Sequence, residues 1–176
     1  KIYKYLGQDV LELVFKDGSY AGFKCSKPKD YNDPYELFLS IDRSIAPDDL
    51  AAYQEFVGEL PQLPTSCFSK SPIVVPMWAH YANTAQGFVV EVDEGKLKEY
   101  YDEALSIADV TYSNEPSEHV VPSLLRAVGT CKPRHTFFLH QTIFHAAYFY
   151  KQLEWAYEQA RRVVAHGEDI IKNIDG

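Results

Sequence analysis

The segment from Pro76 to Val92 constrains the fold most, because its pattern predicts a short helix that runs directly into a strand. At about 100° per residue, Trp78 and Tyr81 share one helical face, whereas His80 points away from it. Gly87 is expected to end the helix, since it has no Cβ. Residues 88–93 then alternate as in a half-buried strand. The pattern leaves open whether His80 faces a cleft or lies on the surface.

The rest of the chain predicts short strands separated by helices. We expect strands at residues 2–6, 20–25, 65–69, 107–112 and 161–165, helices at residues 8–16 and 93–105, and a long buried helix from Pro133 to about Trp155. This order lacks the repeated βαβ units of a doubly wound fold. The sequence therefore predicts an α+β fold with small mixed or antiparallel sheets flanked by helices, and 176 residues fit one domain spanning 1–176.

Composition limits the classes of partner. The net charge of -8 and pI of about 5.2 repel phosphate at long range, so a nucleic-acid substrate would need a local basic pocket. Three scattered cysteines give neither a disulfide framework nor a Cys-x-x-Cys site. No apolar run reaches membrane length, and the first residues lack the pattern of a secretory signal. We expect a cytoplasmic protein with no membrane partner.

Metal and nucleophile motifs are weak in this chain. His135, His140 and His145 are five residues apart, so they cannot converge from one helix on a zinc ion. Cys67 and Ser69 lie near His80 in sequence, but no Gly-x-Ser-x-Gly elbow is present. We therefore predict no bound metal.

The acidic turn Asn32-Asp33-Pro34-Tyr35-Glu36 allows two interpretations. Asp33 and Glu36 could bind Mg²⁺ or act as an acid/base pair, which with His80 would suggest a metal-dependent nuclease. Such residues more often hydrogen-bond the turn in which they lie. Both interpretations stay open at this stage.

Several motifs together resemble a known family. They are Tyr3-Lys4-Tyr5, Asn32-Asp33-Pro34-Tyr35-Glu36, Cys67-Phe68-Ser69, Trp78-Ala79-His80-Tyr81-Ala82 with Gly87-Phe88, and Lys151 with Trp155-Ala156-Tyr157-Glu158-Gln159-Ala160-Arg161-Arg162. Their order over almost the whole chain resembles the bacterial and phage family called domain of unknown function 2971. That name implies no reaction.

The order of the motifs also resembles, more loosely, the ADP-ribosyltransferase fold. That resemblance implies an NAD-binding cleft between two small sheets and a late glutamate that stabilises the ribose as nicotinamide leaves. It implies cofactor-binding roles for Lys4, Tyr5, Asn32, Asp33, Ser69 and Trp78, and catalytic roles for His80, Tyr81, Glu158 and the position of Ala160. It implies no metal.

Two positions depart from the family pattern. Leu6 stands where the family usually has Arg, and Ala160 stands where a Glu-x-Glu motif would have its second acid. The alanine allows three interpretations: a naturally inactive member, Glu158 as the acting acid, or an engineered substitution that disarms a toxic enzyme. We expect Ala160→Glu to raise NAD consumption or cellular toxicity.

The resemblance thus implies an enzyme of a toxin or phage-defence type that transfers ADP-ribose from NAD to a macromolecular target, with an antitoxin as a second partner. The main alternative is a non-catalytic binding or immunity protein that keeps the fold. Ala160, Leu6 and the acidic charge favour that alternative. The metal-dependent nuclease is the third hypothesis.

Overall fold

Five antiparallel strands form the main sheet, in the order β3-β1-β2-β7-β4. The computed structural model describes residues 1–16, 21–31, 46–48, 51, 62–115, 144–145 and 147–166. The strands of this sheet are β1 (Ile2–Leu6), β2 (Thr65–Ser69), β3 (Phe88–Val92), β4 (Leu105–Asp109) and β7 (Ala160–Ala165). A second, parallel pair consists of β5 (Thr111–Tyr112) and β6 (Tyr150–Lys151).

Short helices connect these strands. They are α1 (Leu11–Val14), α2 (Val75–Tyr81) and α3 (Glu94–Tyr101), with 3-10 turns at Gln8–Val10, Pro28–Asp30, Asp102–Ala104 and Leu153–Glu158. The Asp93 side chain caps α3 by accepting the backbone N–H groups of Gly95 and Lys96, as the sequence predicts for an Asp at this position. The coarse α+β class is confirmed.

Apolar side chains from alternate residues of β1 pack on the two opposite faces of the sheet. Ile2 joins Phe68 and Val163 on one face, where Leu97 of α3 covers them. Tyr5 joins Met77 and other residues of α2 on the other face. Successive side chains of a strand point to opposite faces, so Ile2 and Tyr5 must lie on different faces. The helix α2 covers the face from which Tyr5 projects.

The connection from α2 to β3 contains three consecutive left-handed residues. Asn83, Thr84 and Ala85 have φ angles of 46°, 56° and 64°. Gly87 follows, and a Cβ there would collide with the backbone oxygens of Leu6 and Ala82. A glycine is therefore required here by the close approach of the Leu6 and Ala82 backbones. It is not required by a left-handed conformation, since the φ of Gly87 is not positive. The helix ends earlier than Gly87, at Tyr81.

The predicted long helix from Pro133 to Trp155 is wrong at its end. Residues 150–151 form β6, and Gln152 has extended backbone angles before the 3-10 turn begins at Leu153. Pairing of β6 with β5 overrides the helical periodicity of the sequence. The predicted burial holds for Tyr148 and Phe149, which are buried. The part before Phe144 lies outside the described residues.

Two predicted strands also differ from the structure. Residues 21–25 form no strand, and Ser26 makes a single bridge to Thr65. The strand predicted at residues 107–112 is divided at Val110, whose backbone N–H donates to the Ala160 oxygen. The chain there leaves the main sheet and joins β6. The predicted strands at 2–6 and 65–69 are confirmed, and β7 begins one residue before the predicted start.

Candidate functional site

A cavity of about 170 Å³ lies where β1 and β2 diverge. These strands share one registered pair, Tyr3 with Ser69, whereas β1 shares five with β3 and β2 shares five with β7. Side chains from both diverging strands, from α2, from β6 and from β7 line the cavity. The divergence opens the sheet where polar groups can enter it.

Lys4 reaches from β1 into this gap. Its Nζ donates to Ser66 Oγ at 3.0 Å and to the Cys67 backbone oxygen at 2.8 Å. The amine also lies 5.3 Å from the centre of the Phe68 ring. Burial lowers the pKa of Lys4, because the charged amine loses hydration. The lysine therefore replaces backbone hydrogen bonds that the diverging strands cannot make.

Glu158 is held from two directions. The Tyr81 hydroxyl donates to its Oε1 at 2.7 Å, and Lys151 Nζ lies 3.0 Å from its Oε2. The Lys151 and Glu158 side chains are each 8% exposed, so this is a buried ion pair. Trp155 places its ring centre 3.9 Å from the Lys151 amine. The carboxylate is thus fixed in place by α2 and β6.

Ala160 begins β7 two residues after Glu158. It is 3% exposed, lines the cavity and pairs with Ser69 across the sheet. Its backbone N–H donates to the Tyr112 hydroxyl at 2.8 Å. Burial raises the pKa of Tyr112, since the phenolate would be poorly solvated there. The parallel pair β5–β6 therefore contributes Tyr112 and Lys151 to the same site.

Positive charge predominates around the cavity. Lys4, Lys24, Lys151 and Arg162 line it, while Glu158 is the one carboxylate among the described lining residues. Arg162 is buried, donates to the Tyr148 backbone oxygen at 2.7 Å and stacks 5.9 Å from the Tyr31 ring centre. In a chain of net charge -8, this is a local site suited to an anion.

Comparison with known protein families matches residues 77–163 to the family described as "Protein of unknown function (DUF2971)". This segment, 87 of the 176 residues, is similar to the DUF2971 family and is called the DUF2971 segment below. The DUF2971 segment includes Tyr81, Lys151, Glu158, Ala160 and Arg162, whereas Lys4 lies outside it. No curated protein and no solved structure matches the chain significantly.

Five of the site residues predicted from the sequence line one cavity. Besides Lys4 and Tyr5 of β1, these are three residues of the DUF2971 segment: Tyr81, Glu158 and Ala160. The Tyr5 hydroxyl accepts the Val74 N–H and donates to the Ser71 backbone oxygen. Burial raises the pKa of Tyr5. These bonds connect β1 to the start of α2.

Three others do not line the cavity. Ser69 is fully buried and accepts the Ser71 N–H. Trp78 packs edge-on against Tyr5, with ring centres 5.4 Å apart, and donates to the Pro72 oxygen. His80 is exposed, with its ring centre 6.2 Å from that of Tyr157. They therefore support the site or its surroundings without lining it.

Asn32, Asp33 and Glu36 lie outside the described residues. Within the ranges that are described, no group of three or more His, Cys, Asp or Glu could hold a metal ion. Nor does that part of the chain contain a helix long and apolar enough to cross a membrane.

Sequence reasoning missed Tyr112, Lys24 and Tyr31 as lining or supporting residues. Tyr112 could be found only from the bend at Val110, which sends β5 away from the main sheet. Tyr31 reaches the cavity because its hydroxyl donates to the Thr65 oxygen at 2.8 Å. No local spacing in the sequence indicates either contact.

Proposed function

We propose that the protein is an ADP-ribosyltransferase-like effector, of a toxin or phage-defence type, that transfers ADP-ribose from NAD to a macromolecular target. One observation carries this proposal: a single cavity combines four basic side chains with one rigidly held carboxylate, Glu158. Dinucleotide phosphates need the basic groups, and the developing charge on the ribose needs the carboxylate.

The cavity size suggests which part of NAD it accepts. Ligand pockets usually measure about 300–1,000 Å³, so the 170 Å³ here suits one end of a dinucleotide. We assign the nicotinamide ribose to the region near Tyr81 and Glu158, because that is where the carboxylate lies. Lys24 and Arg162, which also line the cavity, then bind phosphate.

In the proposed reaction, the bond between the nicotinamide nitrogen and the ribose C1′ breaks, and nicotinamide leaves with the bonding electrons. Positive charge develops on the ribose, and the Glu158 carboxylate stabilises it. A nucleophile of the target then bonds to the same carbon and loses its proton. The Lys151 amine and the Tyr81 hydroxyl keep the carboxylate oriented during this step.

The proposal is tested by NAD binding and by NAD consumption. Millimolar NAD should raise the melting temperature, because a ligand that binds only the folded state stabilises it. Glu158→Gln should lower NAD consumption by roughly 10²–10³-fold, the usual cost of one charge-stabilising group. Glu99→Gln, on the exposed side of α3, is the matched control. Absence of any NAD-dependent shift would contradict the proposal.

Ala160→Glu tests the position of the second acid. The Ala160 side chain already lines the cavity, so a carboxylate there would stand close to Glu158. We expect this variant to raise NAD consumption or slow the growth of cells that express it. If the folded variant does neither, position 160 is not the site of a missing catalytic acid.

A non-catalytic binding protein is the second candidate. Ala160 at the cavity wall and the full engagement of both Glu158 oxygens favour it, since no second carboxylate among the described residues lines the cavity. For this candidate, neither NAD nor Mg²⁺ would change the melting temperature. A shift with Mg²⁺ alone would instead favour the metal-dependent nuclease.

A further inference from the structure

Lys4 is a buried amine whose hydrogen-bond partners in the described part of the chain are neutral. Its two hydrogen-bond acceptors, Ser66 Oγ and the Cys67 carbonyl oxygen, are both neutral. None of its contacts within the described part of the chain is with a carboxylate. Burial next to neutral partners disfavours the charged ammonium relative to the neutral amine.

The two hydrogen bonds of Lys4 are ones that a neutral amine can make. An ammonium has three N–H donors, whereas a neutral amine has two donors and one lone pair. The two acceptors of Lys4 use both donors of a neutral amine and leave the lone pair uncommitted. Lys151 differs, because its amine is paired with the Glu158 carboxylate at 3.0 Å.

Burial and the other basic side chains of the cavity are the two features that bear on the reactivity of Lys4. Burial is the largest cause of its lowered pKa, outweighing the opposing influence of the Cys67 and Cys25 thiols. Lys24 and Arg162 line the same cavity and bring further positive charge. Desolvation and neighbouring cations are the two usual means by which a lysine becomes a nucleophile at neutral pH.

We propose that Lys4 is a nucleophilic amine that condenses reversibly with a small aldehyde bearing a phosphate or carboxylate group. Lys4 lines the cavity in which such a ligand would bind, and Lys24 and Arg162, which also line it, attract the anionic end of the ligand. This second activity does not depend on NAD. The gap between β1 and β2 would then be a covalent binding site.

The chemistry balances without a further reactant. The Lys4 nitrogen bonds to the aldehyde carbon, and the carbonyl oxygen takes a proton to give a carbinolamine. That oxygen then leaves as water after taking a second proton, and an imine remains. Both protons come from the amine nitrogen, and the Ser66 hydroxyl at 3.0 Å is placed to relay them.

Reductive trapping tests the proposal on the intact chain. The protein is treated at pH 7 with pyridoxal phosphate or glyceraldehyde phosphate, and cyanoborohydride supplies the hydride that fixes the imine as a secondary amine. Tandem mass spectrometry then locates the label. We expect Lys4 to be labelled several-fold faster than the exposed Lys96, because a lowered pKa leaves more of the amine in its free, nucleophilic form at pH 7.

Variants and a neutral probe complete the experiment. Lys4→Met should remove the fast-labelled site, whereas Lys96→Met should leave it unchanged. Pyridoxal, which lacks the phosphate, should label Lys4 more slowly than pyridoxal phosphate does. If Lys4→Met does not fold, the distribution of label over the lysines of the unmodified protein still tests the proposal. Labelling spread over the exposed lysines according to their exposure would overturn it.

Discussion

Buried charges at single residues decide the chemistry of the cavity. Lys151 and Glu158 neutralise each other, whereas Lys4 is buried among neutral oxygens. The same residue type therefore has two different roles within one cavity. The difference follows from the partner of each amine, and sequence alone does not show which lysine has a carboxylate partner.

The first prediction concerns the buried ion pair. Lys151→Met should lower the free energy of unfolding by about 3–5 kcal/mol, because it leaves the Glu158 carboxylate buried without its cation. Denaturant titration measures this loss. Lys98→Met is the control: its pair with Glu94 has a lysine side chain that is 54% exposed, and it should cost less than about 1 kcal/mol. Equal losses would contradict the assignment.

The second prediction concerns Tyr112, which sequence reasoning missed. Tyr112→Phe removes the acceptor of the Ala160 N–H and leaves that buried donor unsatisfied. We expect a loss of about 1–3 kcal/mol in unfolding free energy. Tyr100→Phe, at a side chain that is 81% exposed, should be neutral. A neutral Tyr112→Phe would show that water can replace the hydroxyl.

At the scale of elements, the connection between α2 and β3 fixes Tyr81 relative to the sheet. Three left-handed residues turn the chain, and Gly87 then passes close to the Leu6 backbone of β1. Left-handed conformations cost roughly 1–2 kcal/mol for residues with a Cβ. The packing of Tyr5 against α2 must offset that cost.

Gly87→Ala tests this close approach. Its Cβ would overlap backbone oxygens on two elements, which cannot move as a flexible side chain can. We expect a loss of about 1–3 kcal/mol or more, the range for overpacking, measured by thermal or denaturant unfolding. Gly22→Ala is the matched control, since a Cβ there would meet no atom within 4 Å. A tolerated Gly87→Ala would mean that β1 and β3 can separate locally.

The elements also show what sequence reasoning could predict. Local residue patterns predicted β1, β2 and β3, and Asp93 predicted the start of α3. These predictions succeeded because a strand pattern and a helix cap each depend on neighbouring residues only. β6 was missed because its two residues are extended only through pairing with β5. For the cavity, Lys4, Tyr81 and Glu158 were suggested by family motifs. Their hydrogen bonds depend on a strand divergence that no local pattern encodes.

At the scale of the whole molecule, a network of ion pairs joins α3 to the sheet. Arg161 of β7 binds Glu94 through two nitrogens and also contacts Asp109 of β4. Its guanidinium is the main cause that lowers the pKa of Glu94 to about 2. The network lies on the sheet face opposite to that of Arg162, as alternation along β7 requires.

This network predicts acid sensitivity. The Glu94 pKa is lower in the folded than in the unfolded state, so its stabilisation is present above the unfolded pKa of about 4.5 and is lost as the pH falls toward 2. Because solvent screens the partly exposed pair of Glu94 and Arg161, we expect the loss of unfolding free energy to be about 1–3 kcal/mol. Urea titrations at several pH values should show a shallower decline for Glu94→Gln. An unchanged pH dependence would contradict this role.

The order of strands has a consequence for how the protein is made. β1 leaves the ribosome early, yet its neighbours in the sheet are β2 and β3, and β2 in turn needs β7. Pairing across such long stretches of chain slows folding. A nascent or truncated chain that lacks β7 has no Ala160 or Arg162 to close the cavity. Incomplete products of translation should therefore lack the closed cavity, and any activity that depends on it would arise only once synthesis has passed β7.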